Sequence, residues 1–377
     1  MVQLSSTVSV LVVTGSLPPI RCGVGSYTKR LLQELETVAD DYTIDVLSTV
    51  GSDTLASNTP VQLVSDWKLR HIFSLYRLVK SKHTDIVHVQ YPAVGYGRSL
   101  GINFLGYALR FGTRAKLVIT LHEYHQSRWV GRLRNIITVY PYHQIVVSTD
   151  IDAHHLQKLH RPTTVIPLGS NLSQGAKAPT LHNVLQRHGI TPSQRSLYFF
   201  GYPFPSKHLE ALIDAMSLLP GYQLILLSNQ DLSDDYHKQL QARINDLPNP
   251  HSVKWVGYIT DDEVLTILEK APGYFVQPQT VPLTVKSSTA LTAAVSGKVV
   301  IASAASSGTV QLPYKNQENC YLLPVVTPAT IAGAINTLDA NPQLVNTIQR
   351  GTLALREYFS WSTIIEKHVA LYRKILS

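Results

Sequence analysis

Apolar residues in this chain fall into two patterns that alternate: short unbroken runs, and stripes at helical spacing. Val8 to Thr14 (VSVLVVT) is an unbroken run of the kind a strand buried on both faces shows. It leads through the loop GSLPPIRCGVGS into a stretch from about Ser26 to Val38, where Leu31, Leu32 and Leu35 share one side and predict a helix. Strands are predicted at Thr43–Ser48, Asp85–Gln90, Lys116–Leu121, Gln144–Ser148 and Thr163–Pro167. Helices are predicted at Leu69–Val79, at Val130–Val139 and from Thr149 onward. Strand alternating with helix this regularly implies a parallel sheet covered on both faces.

Residues 170–193 are poor in large apolar side chains and hold Gly175, Pro179 and Pro192, which predicts a linker. The pattern then restarts, with strands at Ser196–Phe200, Gln223–Leu227, Val253–Val256 and Tyr274–Val276 and helices at Leu209–Leu218, Tyr236–Ile244 and Asp261–Leu268. From Pro328 onward the chain reads as helical, ending in an amphipathic segment with Trp361, Ile364, Ile365 and His368 to Leu371. The expected fold is α/β, with two facing doubly wound Rossmann-like domains at 1–170 and 195–355, a linker at 171–194, and a terminal helix at 356–377 that packs back toward the first domain. Ligands then belong in the cleft at the carboxyl ends of the strands.

Length agrees, since 377 residues are too many for one ordinary core. With 44% hydrophobic and 15% charged residues the chain should be a soluble folded protein, and no apolar run approaches the ~18 residues of a membrane span. The amino terminus has no basic leader, and its first apolar run reads better as a strand. Two cysteines, Cys22 and Cys320, make neither a disulfide framework nor a zinc set, which fits a reducing cytoplasm. The net charge of +8 points to anionic partners, but zinc-finger spacings and RNA-binding aromatic signatures are missing, so nucleic acid is not expected.

The chemistry centres on Val281 to Ser303, which reads loop, helix, glycine, strand. Ala290, Leu291, Ala294 and Val295 give the helix its apolar stripe, Gly297 stops it, and Val299 to Ala302 is a buried-strand run. Before the stripe, Lys286, Ser287, Ser288 and Thr289 place a cation and three hydroxyls beside unpaired backbone N–H groups, a seat for a phosphate. The alternative is that the hydroxyls only cap the helix. Gly23 and Gly25 follow the first strand without a third fingerprint glycine or a clear acidic partner, so an NAD site is disfavoured and simple turning remains open. At strand ends lie His122 with Glu123 in the first half, and Lys207, Asn229 with Gln230, the turn GYITDDE and Lys286 in the second. His88, between Val87 and Val89, reads as a structural hydrogen-bonding residue, whereas His122 begins a polar loop and should sit at the mouth of the cleft. Asp150 and Asp152 sit at a helix start, where capping is favoured over a metal. Arg128, Trp129, Arg132 and Arg134, with Val130, Leu133, Ile136, Ile137 and Val139, form a basic and partly apolar helix. It either rests on an anionic membrane or turns a solvated basic face outward over an ordinary core stripe.

Taken together, PPIRCGVGSYTKRLLQEL, DIVHVQYP, LVITLHE, VIPLGSN, FFGYPFPSKHLEALIDA, VKWVGYITDDEV and ALTAAVSGKVVIA resemble, in order and spacing, the nucleotide-sugar glycosyltransferases of the GT-B fold, family four, also called group one. The resemblance spans nearly the whole chain. It implies transfer of a hexose from a UDP-sugar, UDP-glucose or similar, to a hydroxyl of a glycan or lipid-linked saccharide in cell-envelope or exopolysaccharide biosynthesis. Retention of configuration is implied, with no metal or other cofactor. By position, Gly23 and Gly25 match the loop near the donor phosphate, His122 the histidine beside the donor sugar, and Lys207 the diphosphate lysine. Gly257, Tyr258 and Ile259 match the base-binding turn.

Two departures weigh against a simple transfer of roles. The family's arginine ahead of the lysine falls on Tyr202, Pro203 or Phe204, and its two glutamates fall on Thr284 and Thr292. Lys286 is expected to replace the arginine, and Thr292 to bond a ribose hydroxyl more weakly than a carboxylate. The loss of both carboxylates keeps open a protein that binds nucleotide sugar or glycan without turnover. An epimerase on the same fold is less favoured, because acidic groups close to the sugar are not found.

Overall fold

The computed structural model describes residues 7–20, 22–38, 41–52, 59–124, 129–170, 172, 178–191, 193, 195–304 and 313–377. Its contacts divide the chain into two units, Met1–Gly169 with Trp361–Ser377, and Ser170–Ser360. The first unit is a parallel sheet of β1 (Val8–Thr14), β2 (Tyr42–Thr49), β3 (Val61–Val64), β4 (Ile86–Tyr91), β5 (Lys116–Leu121), β6 (Gln144–Val147) and β7 (Thr163–Val165), in the order β3-β2-β1-β4-β5-β6-β7. Val12, Val89, Ile119 and Ile145 are fully buried, because helices cover both faces and successive side chains enter one core or the other. Each such side chain contributes about 1.5–3 kcal/mol relative to exposure.

Helices α1 (Gly23–Glu36), α2 (Ile72–Ser81), α3 (Gly101–Gly112), α4 (Trp129–Val139) and α5 (Asp150–Gln157) connect these strands. On one face of the sheet lie Leu75 and Val79 of α2, Ile102, Leu105 and Leu109 of α3, Val139 of α4 and Leu156 of α5. On the other lie Leu31, Leu32 and Leu35 of α1, together with Ile364, Ile365 and Leu371 of the final helix Trp361–Leu376. Thr149 caps α5 by accepting from the Asp152 amide, so Asp150 and Asp152 occupy the first turn, where the helix dipole favours them, and Thr149 itself is the cap.

The second unit has α6 (Leu181–Arg187), β8 (Ser196–Phe200), α7 (Leu209–Ala215), β9 (Gln223–Leu227), α8 (Asp235–Asn245), β10 (Val253–Trp255), α9 (Asp261–Lys270), β11 (Tyr274–Gln277), α10 (Ser288–Val295), β12 (Val300–Ser303), β13 (Tyr321–Leu323), α11 (Pro328–Ala340) and α12 (Pro342–Tyr358). The six strands are parallel in the order β10-β9-β8-β11-β12-β13. The last helix of the chain is α13 (Trp361–Leu376).

The region read as a linker holds α6, whose Val184 and Leu185 are buried with Ile267 and Leu268 of α9, so part of it is core. Gly297 closes α10 as expected. At φ +87 it lets its own N–H reach the Ala294 carbonyl and the Lys298 N–H reach that of Ala293.

Candidate active site

In the second unit the carboxyl end of the sheet presents the loops after β8, β10 and β11. Gly201 turns the chain out of β8 at φ +121, and a Cβ there would lie 3.0 Å from Cγ2 of Thr289, so glycine lets this loop close on the first turn of α10. The loop ends in a single turn, Pro205–Lys207, followed by His208 at φ +46. That left-handed backbone is held from two sides, by His208 Nε2 against Thr280 Oγ1 at 3.0 Å and Nδ1 against Glu210 Oε1 at 3.0 Å.

The preceding residue, Lys207, is thereby aimed at the tail of β11. Its Nζ donates to Gln279 Oε1 at 3.2 Å, and burial holds the ammonium below the ordinary lysine range. The same oxygen accepts from Gln277 Nε2 at 2.7 Å, while Gln279 Nε2 donates to Ser287 Oγ at 3.2 Å. Thr289 Oγ1 completes the ring by donating to Gln277 Oε1 at 2.7 Å. A cation is therefore wired to the start of α10 through two buried amides. Ser287 is the N-cap residue, yet its hydroxyl makes no capping bond and accepts from Gln279 and from the Thr284 amide instead. The hydroxyls thus brace the turn, and no side chain of the N-cap occupies the first helical N–H groups.

Lys286 and Ser288 are half-buried beside them, and the Lys286 amide donates to Thr284 Oγ1 at 3.1 Å. Thr284 and Thr292 are both buried. Thr292 Oγ1 donates to the Ser288 carbonyl at 2.9 Å and lies 2.8 Å from Ser170 Oγ, so in this arrangement it serves the helix. The turn after β10 places Gly257 at φ +84, leaves Tyr258 exposed and packs Ile259 against the core. Its following residue, Thr260, forms a capping box with Glu263, which accounts for the acidic run there.

Gln277 and Gln279 were not among the residues singled out from sequence. The signal was present as polar residues closing an otherwise buried strand, YFVQPQ, at 0% and 3% exposure, since a buried amide without partners would be costly.

In the first unit the ends of β1, β4 and β5 bring the Gly23 loop, Gln90 and His122 to one edge. A Cβ on Gly25 would lie 2.9 Å from the Ser16 carbonyl oxygen, so glycine is demanded there by close packing of α1, whereas Gly23 is exposed and meets nothing. His122 is only 6% exposed rather than at an open mouth, because its amide extends the ladder to the Tyr91 carbonyl and its ring lies edge-on to Tyr27. Its Nε2 is 3.0 Å from Gln90 Oε1, and Gln90 Nε2 is 3.2 Å from His88 Nε2. His88 in turn lies 2.7 Å from Thr120 Oγ1 and 2.6 Å, through Nδ1, from the Tyr372 hydroxyl of α13. Burial keeps His88 neutral, with its pKa well below the usual range. It is a structural hydrogen-bonding residue, and through Gln90 it orients His122. His125–Arg128, part of the loop that follows, and Asn171 lie outside the described residues.

Solved structures of similar shape fix the fold. Over 99% of both chains this protein superposes on a glycosyltransferase from Rickettsia africae with a TM-score of 0.76 at 16% identity. A sucrose-phosphate synthase from Thermosynechococcus elongatus gives 0.73 at 17% identity over 98% of this chain and 99% of that one. Anabaena HepE in complex with UDP-glucose gives 0.72 at 19% identity over 97% and 99%. The chain therefore has the GT-B fold of nucleotide-sugar glycosyltransferases. No family model and no curated protein sequence matches it, and at these identities the likeness is one of fold.

Proposed function

We propose that the protein is a glycosyltransferase that moves a hexose from a UDP-sugar, UDP-glucose or similar, to a hydroxyl of a glycan or lipid-linked saccharide in cell-envelope or exopolysaccharide biosynthesis. The carrying observation is the Lys207–Gln279–Ser287 connection, which joins a half-buried ammonium to the start of α10. A departing diphosphate develops charge where preorganised donors stabilise it most, and this arrangement offers a cation and helix N–H groups together. Lys286 and Ser288 extend the same seat, and Tyr258 and Ile259 flank the turn that would receive the base. With ammonium groups in that role the leaving group needs no metal ion, and attack on the donor's own face would retain configuration. In the first unit Gly23 and Gly25, at the start of α1, would lie near the donor phosphate and the acceptor, and the Gln90-bound His122 would contact the donor sugar. HepE has been solved with UDP, with UDP-glucose, and with UDP and glucose, which supports a UDP-linked donor. The reading places the protein in the cytoplasm, peripheral to the inner face of the membrane. Among the described residues no helix is long and apolar enough to cross a bilayer.

The test is release of UDP from a panel of UDP-sugars with and without acceptor glycans. Acceptor-dependent release supports transfer. A second reading, binding without turnover, draws on Thr284 and Thr292, which are buried and bonded within the chain where carboxylates were expected. It predicts UDP-sugar binding with no release on any acceptor.

A further inference from the structure

Three adjacent helices of the first unit carry apolar residues on the side that faces away from the sheet. In α3 the inward stripe is Ile102, Leu105 and Leu109, yet Phe104 and Phe111, seven residues apart, look outward, and Phe111 is 88% exposed. α2 buries Leu75 and Val79 and leaves Phe73 74% exposed. In α4 the usual arrangement is partly inverted. Asn135 and Thr138 are buried and hydrogen-bonded, to the Glu123 carbonyl and to Asn103 of α3, while Trp129, Leu133 and Ile137 at i, i+4 and i+8 are exposed. Ile136 and Val139 pack on the core as the stripe predicts, but Trp129, Leu133 and Ile137 do not, so the helix carries a second apolar side that faces away from the protein. Between α2 and α3 lies a shallow pocket of about 320 Å³ lined by Leu69, Ile72, Phe73, Phe104, Tyr107 and Ala108. A surface helix that is apolar where it should be solvated marks an interaction face.

Charge identifies the occupant. Residues 66–140, which contain these helices, hold twelve Lys and Arg against three Asp and Glu, a net +9, so the remainder of the chain nets −1 of the total +8. A second copy on this face would set like charge against like, and nucleic acid would answer the charge and stack on the rings but leave the exposed aliphatic side chains of Leu133 and Ile137 in water. An anionic bilayer answers both, taking Phe and Trp side chains at the acyl boundary and Lys and Arg at the headgroups. We propose that the outer face of α2, α3 and α4 is a docking surface for anionic phospholipid. This deepens the peripheral location proposed above and does not depend on turnover.

The experiment is vesicle flotation of the full chain, on phosphatidylcholine alone and with about 30% phosphatidylglycerol, comparing the wild type with the double variant Phe73→Ser and Phe111→Ser. Both side chains are largely exposed, so thermal melts of wild type and variant should coincide. The expected result is flotation only with phosphatidylglycerol, weakened by salt and by roughly tenfold or more in the variant, with a blue shift of fluorescence that Trp129→Phe removes. Failure of the wild type to float, flotation of the variant equal to wild type, or a dimer that the variant abolishes would each overturn the proposal. UDP titration of the same samples separates the readings: intact UDP binding without flotation rejects the docking surface and leaves the transferase standing.

Discussion

Replacing Lys207 by methionine tests the proposed site most directly, because its effects on folding and on binding should run in opposite directions. Methionine keeps most of the apolar stem and removes the ammonium. Gln279 Oε1 would lose the 3.2 Å bond from Lys207 but keep the 2.7 Å bond from Gln277, so no buried acceptor is orphaned. Removing a charge that burial already disfavours costs the fold little, and stability should stay level or rise. Binding should suffer, since a charge-assisted bond to a diphosphate contributes about 1.5–3 kcal/mol, or about ten- to 150-fold in Kd. Calorimetric titration with UDP, paired with a thermal melt, reads both. A UDP affinity within about twofold of wild type, or a marked drop in Tm without loss of affinity, would show Lys207 to be a structural lysine and refute the reasoning. The pH dependence has a fixed sign. Diphosphate binds the protonated amine, so UDP affinity should fall as pH rises through a Lys207 pKa that burial has set below the ordinary lysine range.

Lys286→Ala should weaken UDP by about 1.5–3 kcal/mol in the same calorimeter, and an unchanged affinity removes Lys286 from the site. Tyr372→Phe takes away the hydroxyl 2.6 Å from the buried His88 Nδ1, so unfolding should cost about 1–3 kcal/mol less and UDP release should slow as His122 loses its support; full activity would break the proposed relay. His368 titrates near 4 because burial disfavours its charge, against 6.5 unfolded. Unfolding then takes up a proton between those values, so stability should be full above about pH 6.5 and decline toward pH 4, and a melt series flat across that window contradicts it. Gly95→Ala would drive a Cβ to 1.6 Å from the Gly15 carbonyl oxygen, and a loss of about 3 kcal/mol or more is expected in denaturant unfolding.

Local pattern carried most of the architecture. Unbroken apolar runs such as VSVLVVT and VVIAS, and helical stripes such as Leu31, Leu32 and Leu35, are set by period and propensity, so the alternation of strand and helix and its restart after residue 195 could be read directly. Four elements escaped. β3 is a short edge strand with two exposed residues, α6 is a seven-residue helix in polar sequence, and β13 is three residues long. α3 was hidden by Gly101, Gly106 and Gly112 and by apolar residues on every side, which erase the stripe. Gly106 is there because a Cβ would lie 2.7 Å from Pro141 Cγ, a reason only packing supplies.

What the sequence determined alone was therefore the kind and order of elements, two α/β units, and which loops end at carboxyl strand edges. What tertiary structure decided was who meets whom. Lys207 and Ser287 are 80 positions apart in the chain and become joined only because β8 and β11 are neighbours in the sheet, and His122 meets Gln90 only because β4 and β5 pair in register. The outward turn of Leu133 and Ile137 was likewise fixed by the polar contacts of Asn135 and Thr138 with the rest of the unit. Periodicity states that a helix has an apolar side, but only its neighbours determine whether that side faces the core or the solvent.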